Sequence, residues 1–135
     1  VLERTNLMAL RPELLPFRPD AAVADLSLRS LRGAARRLLE LVSRDWLLAL
    51  VKPQYEIGAG GAGPAGGVVS EARDRLATLR HLAADLRQEG VYVARVGAST
   101  PRGGAGNEEY FFLLVRADPG RDLDPELAEL VGGGS

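Results

Sequence analysis

Apolar residues fall along this chain in two rhythms. Residues 21–27 (Ala-Ala-Val-Ala-Asp-Leu-Ser) and 46–52 (Trp-Leu-Leu-Ala-Leu-Val-Lys) are short apolar runs that end on a polar residue, the pattern of buried parallel strands. Between them Leu28, Leu31, Ala35, Leu38, Leu39 and Val42 recur at helical spacing, with Arg29, Arg32, Arg36 and Glu40 largely on the opposite face. This predicts an amphipathic helix. A second helix is predicted from Ser70 to Gln88, its core face formed by Val69, Ala72, Leu76, Leu79, Ala83 and Leu86. Ser70 suits its N-cap and Gly90 its C-terminal stop, and His81 falls off the core face, toward solvent. Val91–Val96 and Tyr110–Val115 read as two further strands. The order strand, helix, strand, helix, strand, strand is that of an α/β layer fold.

Three loops punctuate the pattern. Leu10–Pro19 holds three prolines, Ile57–Gly67 is rich in glycine and alanine, and Ala98–Gly106 carries Pro101 and three glycines. The two glycine-rich segments follow strands, and in parallel α/β sheets ligands bind beyond the carboxyl ends of strands, so both are placed at the border of one crevice. Ile57–Gly67 lacks the Gly-Lys-Ser/Thr ending of a phosphate-binding loop, and no Gly-x-Gly-x-x-Gly run opens a helix, so loop flexibility is the better reading of its glycines. From Asp118 the chain becomes an acidic tail in which Asp124 and Pro125 mark the start of a short helix, before a final Gly-Gly-Gly-Ser. Residues 1–117 are therefore read as one unit and 118–135 as a tail, short helix or linker.

Composition removes several chemistries. The 135 residues are 46% hydrophobic and 26% charged, ordinary values for a globular core. With no cysteine there is no disulfide or thiolate metal site, and one histidine argues against a histidine-built metal centre or a Ser-His-Asp triad. No apolar stretch reaches the length of a membrane span, and no signal peptide is read at the N-terminus, where Glu3 and Arg4 follow Val1 and Leu2 at once. A net charge of −1 offers no general field for nucleic acid. The cations are unusual in kind, however: sixteen are arginine and one, Lys52, is lysine.

Lys52 stands where an apolar strand ends, and Pro53 stops the ladder directly after it. In that place its amine could face the crevice beside Asp25, which ends the preceding strand, with Glu108 and Glu109 across from it just before the last strand. A lysine flanked by carboxylates can be oriented for proton transfer. The residues alone leave a second reading open, in which Lys52 reaches out to solvent and Asp25 caps the following helix.

Five segments carry a resemblance. They are Val1-Leu2-Glu3-Arg4-Thr5-Asn6, Val23-Ala24-Asp25-Leu26-Ser27, Ala49-Leu50-Val51-Lys52-Pro53-Gln54-Tyr55-Glu56, Gly66-Gly67-Val68-Val69 and Gly106-Asn107-Glu108-Glu109-Tyr110. In this order and spacing they resemble the hemolysin A-like (TlyA-type) branch of the FtsJ-like ribosomal RNA methyltransferases, from Val1 to about Arg116. The resemblance implies a Rossmann-like fold, S-adenosylmethionine as cofactor, ribosomal RNA as partner, a cytoplasmic setting, and a Lys-Asp-Lys-Glu tetrad that methylates a ribose 2′-hydroxyl. By position Asp25 would be the tetrad aspartate, Lys52 its second lysine and Glu109 its glutamate. Asn6, after a strand expected at Val1, and Asp25 would lie on the cofactor side.

The departures shape the expectation. The first tetrad lysine and the family's glycine-rich cofactor motif have no counterpart here, so the fold class expected is a partial Rossmann-like sheet with flanking helices, lacking two strands between those at Val1 and Val23. An open strand edge follows from that, and with it a truncated form, a domain-swapped homo-oligomer, or completion by a partner. Leu28 stands where the family has an aromatic residue, which touches substrate binding rather than fold. The resemblance implies a methyltransferase active only when completed, and the alternative is a non-catalytic RNA-binding or assembly module that keeps the fold. Membrane lysis, which the hemolysin name suggests, has no support in helices with charged outer faces.

Overall fold

A computed structural model of the chain describes residues 2–57, 71–99 and 108–132. The Gly66–Val69 segment, the Ser70 cap, Asn107 and most of both glycine-rich loops lie outside the described residues. Four strands form one sheet in the order β1-β2-β4-β3, with β1 Ala22–Asp25, β2 Trp46–Val51, β3 Tyr92–Ala98 and β4 Tyr110–Val115. β1 and β2 run parallel, while β4 is antiparallel to both β2 and β3. The four strands read from the apolar runs are thus present, and the reversed direction of β4 is what the sequence did not announce. That direction matters: β4 begins at the rim where β1, β2 and β3 end.

Alternation along the strands divides the sheet into two unlike faces. Leu47, Ala49 and Val51 of β2 and Tyr110, Phe112 and Leu114 of β4 are all within 1% of complete burial. They pack against Leu31 and against Ala35 and Leu39 of α1 (Ala34–Leu41), and against Leu79, Leu82 and Leu86 of α3 (Ala72–Gln88). Each leucine buried this way contributes roughly 1.5–3 kcal/mol relative to an exposed one. The other face is far less covered: Val23 is 76% exposed, Trp46 38% and Leu48 36%. β1 is an edge strand, so the open edge expected from the resemblance is present among the described residues.

The helices begin where the chain's special conformations allow. α1 starts at Ala34 rather than at Leu28, because Leu28 (φ 59°) and Gly33 (φ 75°) both adopt left-handed backbone that no α-helix continues. α3 starts at Ala72, where the expected core residue Ala72 is in fact exposed, and it stops as foreseen at Gly90 (φ 78°). His81 is exposed, as its position off the core face requires. α2 is a single turn, Pro53–Glu56, directly after β2. The helix signalled by Asp124 and Pro125 is α4, Asp124–Gly132, and it docks on α3 and β3 through Leu127 and Val131.

One expectation fails. No strand forms at the N-terminus: the described residues 2–6 are irregular, and a 3-10 turn follows at Leu7–Ala9 and packs on α1. A strand needs a ladder partner, and the edge it would approach lies beyond β1, where no strand is present among the described residues. No helix among the described residues is long and apolar enough to cross a membrane.

Candidate active site at the carboxyl rim of the sheet

Pro53 lacks an N–H and sits at the first position of α2, so β2 cannot extend and Lys52 is left as the hinge residue in an extended conformation (φ −112°, ψ 99°). Its Nζ lies 2.5 Å from Asp25 Oδ1 and donates to Ser27 Oγ at 3.3 Å. The lysine side chain is 13% exposed and the aspartate 64%, so the pair has a covered amine and a carboxylate open to solvent. Two strand ends adjacent in a parallel ladder, Asp25 beside Leu50, bring these residues together. The reading in which Asp25 caps the next helix is not what the structure shows, since the N-cap of α1 is Gly33 and no side chain caps it.

Glu108 and Glu109 go separate ways. The β2–β4 ladder ends at the Val51–Tyr110 pair, so Lys52 follows and Glu109 precedes that last pair at the same rim. Among the described residues the Glu109 side chain forms no ion pair or hydrogen bond; its carbonyl accepts from the Ser99 N–H at 3.0 Å. Glu108 instead accepts from the Tyr110 hydroxyl at 3.0 Å and lies 3.5 Å from Arg75 Nε. Arg75, on α3 and 9% exposed, also donates to the Tyr110 hydroxyl at 3.1 Å. Burial and the adjacent Glu108 carboxylate push the Tyr110 phenol above its usual range, against the opposing pull of Arg75. The structure therefore distinguishes the two neighbouring acids: Glu108 is tied inward, and Glu109 is at the Lys52 rim.

The last residue of the same turn does structural work. Glu56 is 3% exposed and accepts from the Ser30 hydroxyl, from the Leu31 N–H at 2.8 Å and from Arg32 Nη1 at 3.0 Å. Arg32 continues to Asp85 of α3 at 2.7 Å. Burial raises the Glu56 carboxyl above the ordinary glutamate range, outweighing the Ser30, Leu31 and Arg32 donors that favour its charged form. Lys52 and Glu56 thus fasten the segment 27–31 at both ends, Lys52 at Ser27 and Glu56 at Ser30 and Leu31. Between the fastenings Leu28 has φ 59° and is 77% exposed. A left-handed conformation costs a leucine about 1–2 kcal/mol.

Asn6 is elsewhere. Its side chain accepts from the Met8 N–H at 2.9 Å and caps the first 3-10 turn. Sequence reasoning gave no role to Ser27, Glu56 or Arg75. A serine two residues after the rim aspartate was a usable signal for the first, since neighbours at i and i+2 of an extended segment share a face. At the opposite end of β3 a cavity of about 570 Å³ opens between α3, the 118–124 segment and α4. Its arginines are already neutralised, Arg80 by Asp124, Arg87 by Asp118 and Arg121 by Glu126.

No protein-family model matches the chain. Two Mycobacterium tuberculosis strains hold relatives named 16S/23S rRNA (cytidine-2′-O)-methyltransferase TlyA, each 43% identical over 115 residues, which is 84% of this chain and 42% of the relative. A hemolysin-named protein from Streptococcus thermophilus superposes with a TM-score of 0.81 at 27% identity, over 96% of this chain and 47% of that one. The chain has the TlyA-type sequence and fold. A hemolysin-named structure from Lactococcus lactis, TM-score 0.80 and 22% identical over 98% of this chain and 64% of that one, shares the fold. The TlyA-type chain spans less than half the length of the curated relatives it matches. The expected class, an α/β sheet of the methyltransferase kind with flanking helices, is thereby met.

Proposed function

We propose that this TlyA-type chain supplies one half of an S-adenosylmethionine-dependent ribose 2′-O-methyltransferase acting on ribosomal RNA, and that it works when the rest of the methyltransferase unit completes it. The observation that carries the reading is the covered Lys52 amine 2.5 Å from Asp25 at the rim of the sheet, where Glu109 leads into β4. Methyl transfer to a hydroxyl is an in-line displacement, so placement of the nucleophile supplies much of the acceleration. Lys52 would hold the 2′-hydroxyl and take or stabilise its proton as the oxygen attacks. Asp25 orients the amine and Ser27 Oγ holds it, while Glu109, which makes no contact with it here, would join from the far side once substrate is bound.

The cofactor would supply the electrophilic methyl group. Asp25 fits its side of the site, because its carboxylate is largely exposed to solvent beside Lys52. Asn6 fits less well, since its side-chain oxygen already caps a turn and only its amide N–H donors remain. The open sheet face, with Val23, Trp46 and Leu48, supports completion by further polypeptide, whether the same chain, a swapped copy or a partner. The same face favours the second reading, an assembly module that has kept the fold without the chemistry.

The two readings part in one experiment. The chain is joined to the segment of the Mycobacterium tuberculosis relative that lies outside the match, and titrated calorimetrically with S-adenosylmethionine. Binding and methyl transfer to ribosomal RNA are expected of the joined protein. No binding there would sink the catalytic reading and leave the assembly module.

A further inference from the structure

We infer that Tyr110 and Arg75 are positioning residues for Glu109. Through Glu108 they lock the start of β4, so that the second of two adjacent glutamates, not the first, stands on the sheet face that carries Lys52 and Asp25. The inference rests on the proposed methyl-transfer reading, which gives Glu109 its task. Alternation sorts the rim residues by face. Exposure alternates along β1 and β2, so Asp25 shares the open face with Val23. Lys52, still extended, continues the row of Trp46, Leu48 and Leu50. Tyr110, Phe112 and Leu114 fill the opposite, helix-covered face, which leaves Phe111 and Glu109 on the open one. By the same count Glu108 belongs to the helix side, where it meets Tyr110 and Arg75.

Two glutamates in succession make that assignment easy to lose. A slip of one residue sends each side chain to the other face, and here it would exchange one carboxylate for another of equal charge. The ladder to β2 ends at Val51–Tyr110, and one step beyond it the Ser99 N–H reaches the Glu109 carbonyl at 3.0 Å from the β3 side. Bonds on the helix face do the sorting. Arg75 Nε donates to the Tyr110 hydroxyl at 3.1 Å, the hydroxyl donates to Glu108 at 3.0 Å, and Arg75 Nε lies 3.5 Å from the same carboxylate. Turning Glu108 out to the rim would break the last two of these contacts. A phenylalanine would fill the core position of Tyr110 equally well, so the hydroxyl serves its two polar neighbours and not the packing.

A double-mutant cycle tests this in the chain joined to the completing segment of the Mycobacterium tuberculosis relative. Tyr110→Phe keeps the ring in the core and leaves Arg75 facing Glu108. It is expected to lower kcat for methyl transfer to ribosomal RNA about tenfold with KM unchanged, short of the roughly hundredfold that a misplacement of about 1 Å can cost. In a Glu109→Gln background the carboxylate to be placed is gone, and adding Tyr110→Phe is expected to change the residual rate no further. In the chain by itself, amide exchange at Ser99 is expected to quicken about fivefold in Tyr110→Phe, the factor one lost hydrogen bond allows, with Leu114 unchanged. If Tyr110→Phe lowers kcat by the same factor in both backgrounds, or not at all, the inference is overturned while the methyl-transfer reading stands. Unchanged exchange at Ser99 overturns it as well. Full activity in Glu109→Gln, or none in the unsubstituted joined protein, sinks the reading that gives Glu109 its task, and the inference with it.

Discussion

Asp25 pairs with the residue that opens the turn after β2 and Glu56 closes that turn, yet the first carboxylate is 64% exposed and the second 3%. Asp25 meets a single cation and keeps the rest of its carboxylate open to solvent. Glu56 meets a hydroxyl, a backbone N–H and a guanidinium, and is enclosed by them. By burial and by its raised carboxyl Glu56 looks like the catalytic acid, and perturbed acids do gather at active sites. Its partners argue otherwise: every donor it receives belongs to the chain's own framework, so there is nothing left for a substrate to claim. The acid with spare valence is the one at the rim.

Substitutions can break this contrast. The largest effect is expected at Lys52: in the completed enzyme Lys52→Arg should lower methyl transfer by about 10²–10⁴-fold, the range for a lost proton-transfer group, with stability within about 1 kcal/mol. Radiolabel transfer to ribosomal RNA measures it, and retained activity would remove Lys52 from the chemistry. Asp25→Asn should follow the same pattern more weakly. Glu56→Ala should do the reverse, unfolding more easily by about 3 kcal/mol because it strands the Leu31 N–H and the Arg32 guanidinium. Leu79→Ala, a purely apolar loss in the adjoining core, should cost roughly 2–5 kcal/mol in urea denaturation and calibrates that figure.

A smaller effect sharpens the same comparison through pH. A carboxyl raised in the folded state takes up its proton more readily there than in the unfolded chain. Its contribution to stability is therefore complete below the ordinary glutamate range and is lost as pH rises through the folded value. Glu56→Gln should flatten that fall between mildly acidic and neutral pH. Asp118 and Asp124 titrate in the opposite sense: the Gly120 N–H and Arg80, respectively, hold them below their usual range, and they are common to both proteins. The difference between variant and parent urea midpoints thus isolates Glu56, and an unchanged slope would mean its burial is not felt. Smallest of all, His81→Ala should move stability by less than about 0.5 kcal/mol, as an exposed side chain on an outer helix face.

Much of the fold was legible because burial writes itself as periodicity. The apolar runs located β1, β2, β3 and β4, and the Leu79, Leu86 and Gly90 positions located α3 and its end. The residues from Leu28 to Leu31 misled for a physical reason: their helical spacing is real, but Glu56, some twenty-five positions later, fastens them into a left-handed turn. Local pattern cannot report a contact of that range. The N-terminal strand was expected from resemblance, and its absence follows from the lack of a ladder partner. The meeting of Lys52 with Asp25 was readable from two strand ends, whereas the Arg75–Tyr110–Glu108 group was not, since Glu108 reads as facing Lys52 and its partner Arg75 comes from a distant helix.

Lys52 also gives the molecule a single-channel reporter. With one lysine in 135 residues, reductive methylation with a carbon-13 label places one side-chain signal in the whole spectrum, besides that of the chain's amino terminus. That signal sits against Asp25 and Ser27, so its titration and line shape read the state of the rim directly, without assignment of any other resonance. The same scarcity turns an amine-directed affinity reagent into a footprint of one position, protected whenever something occupies the site.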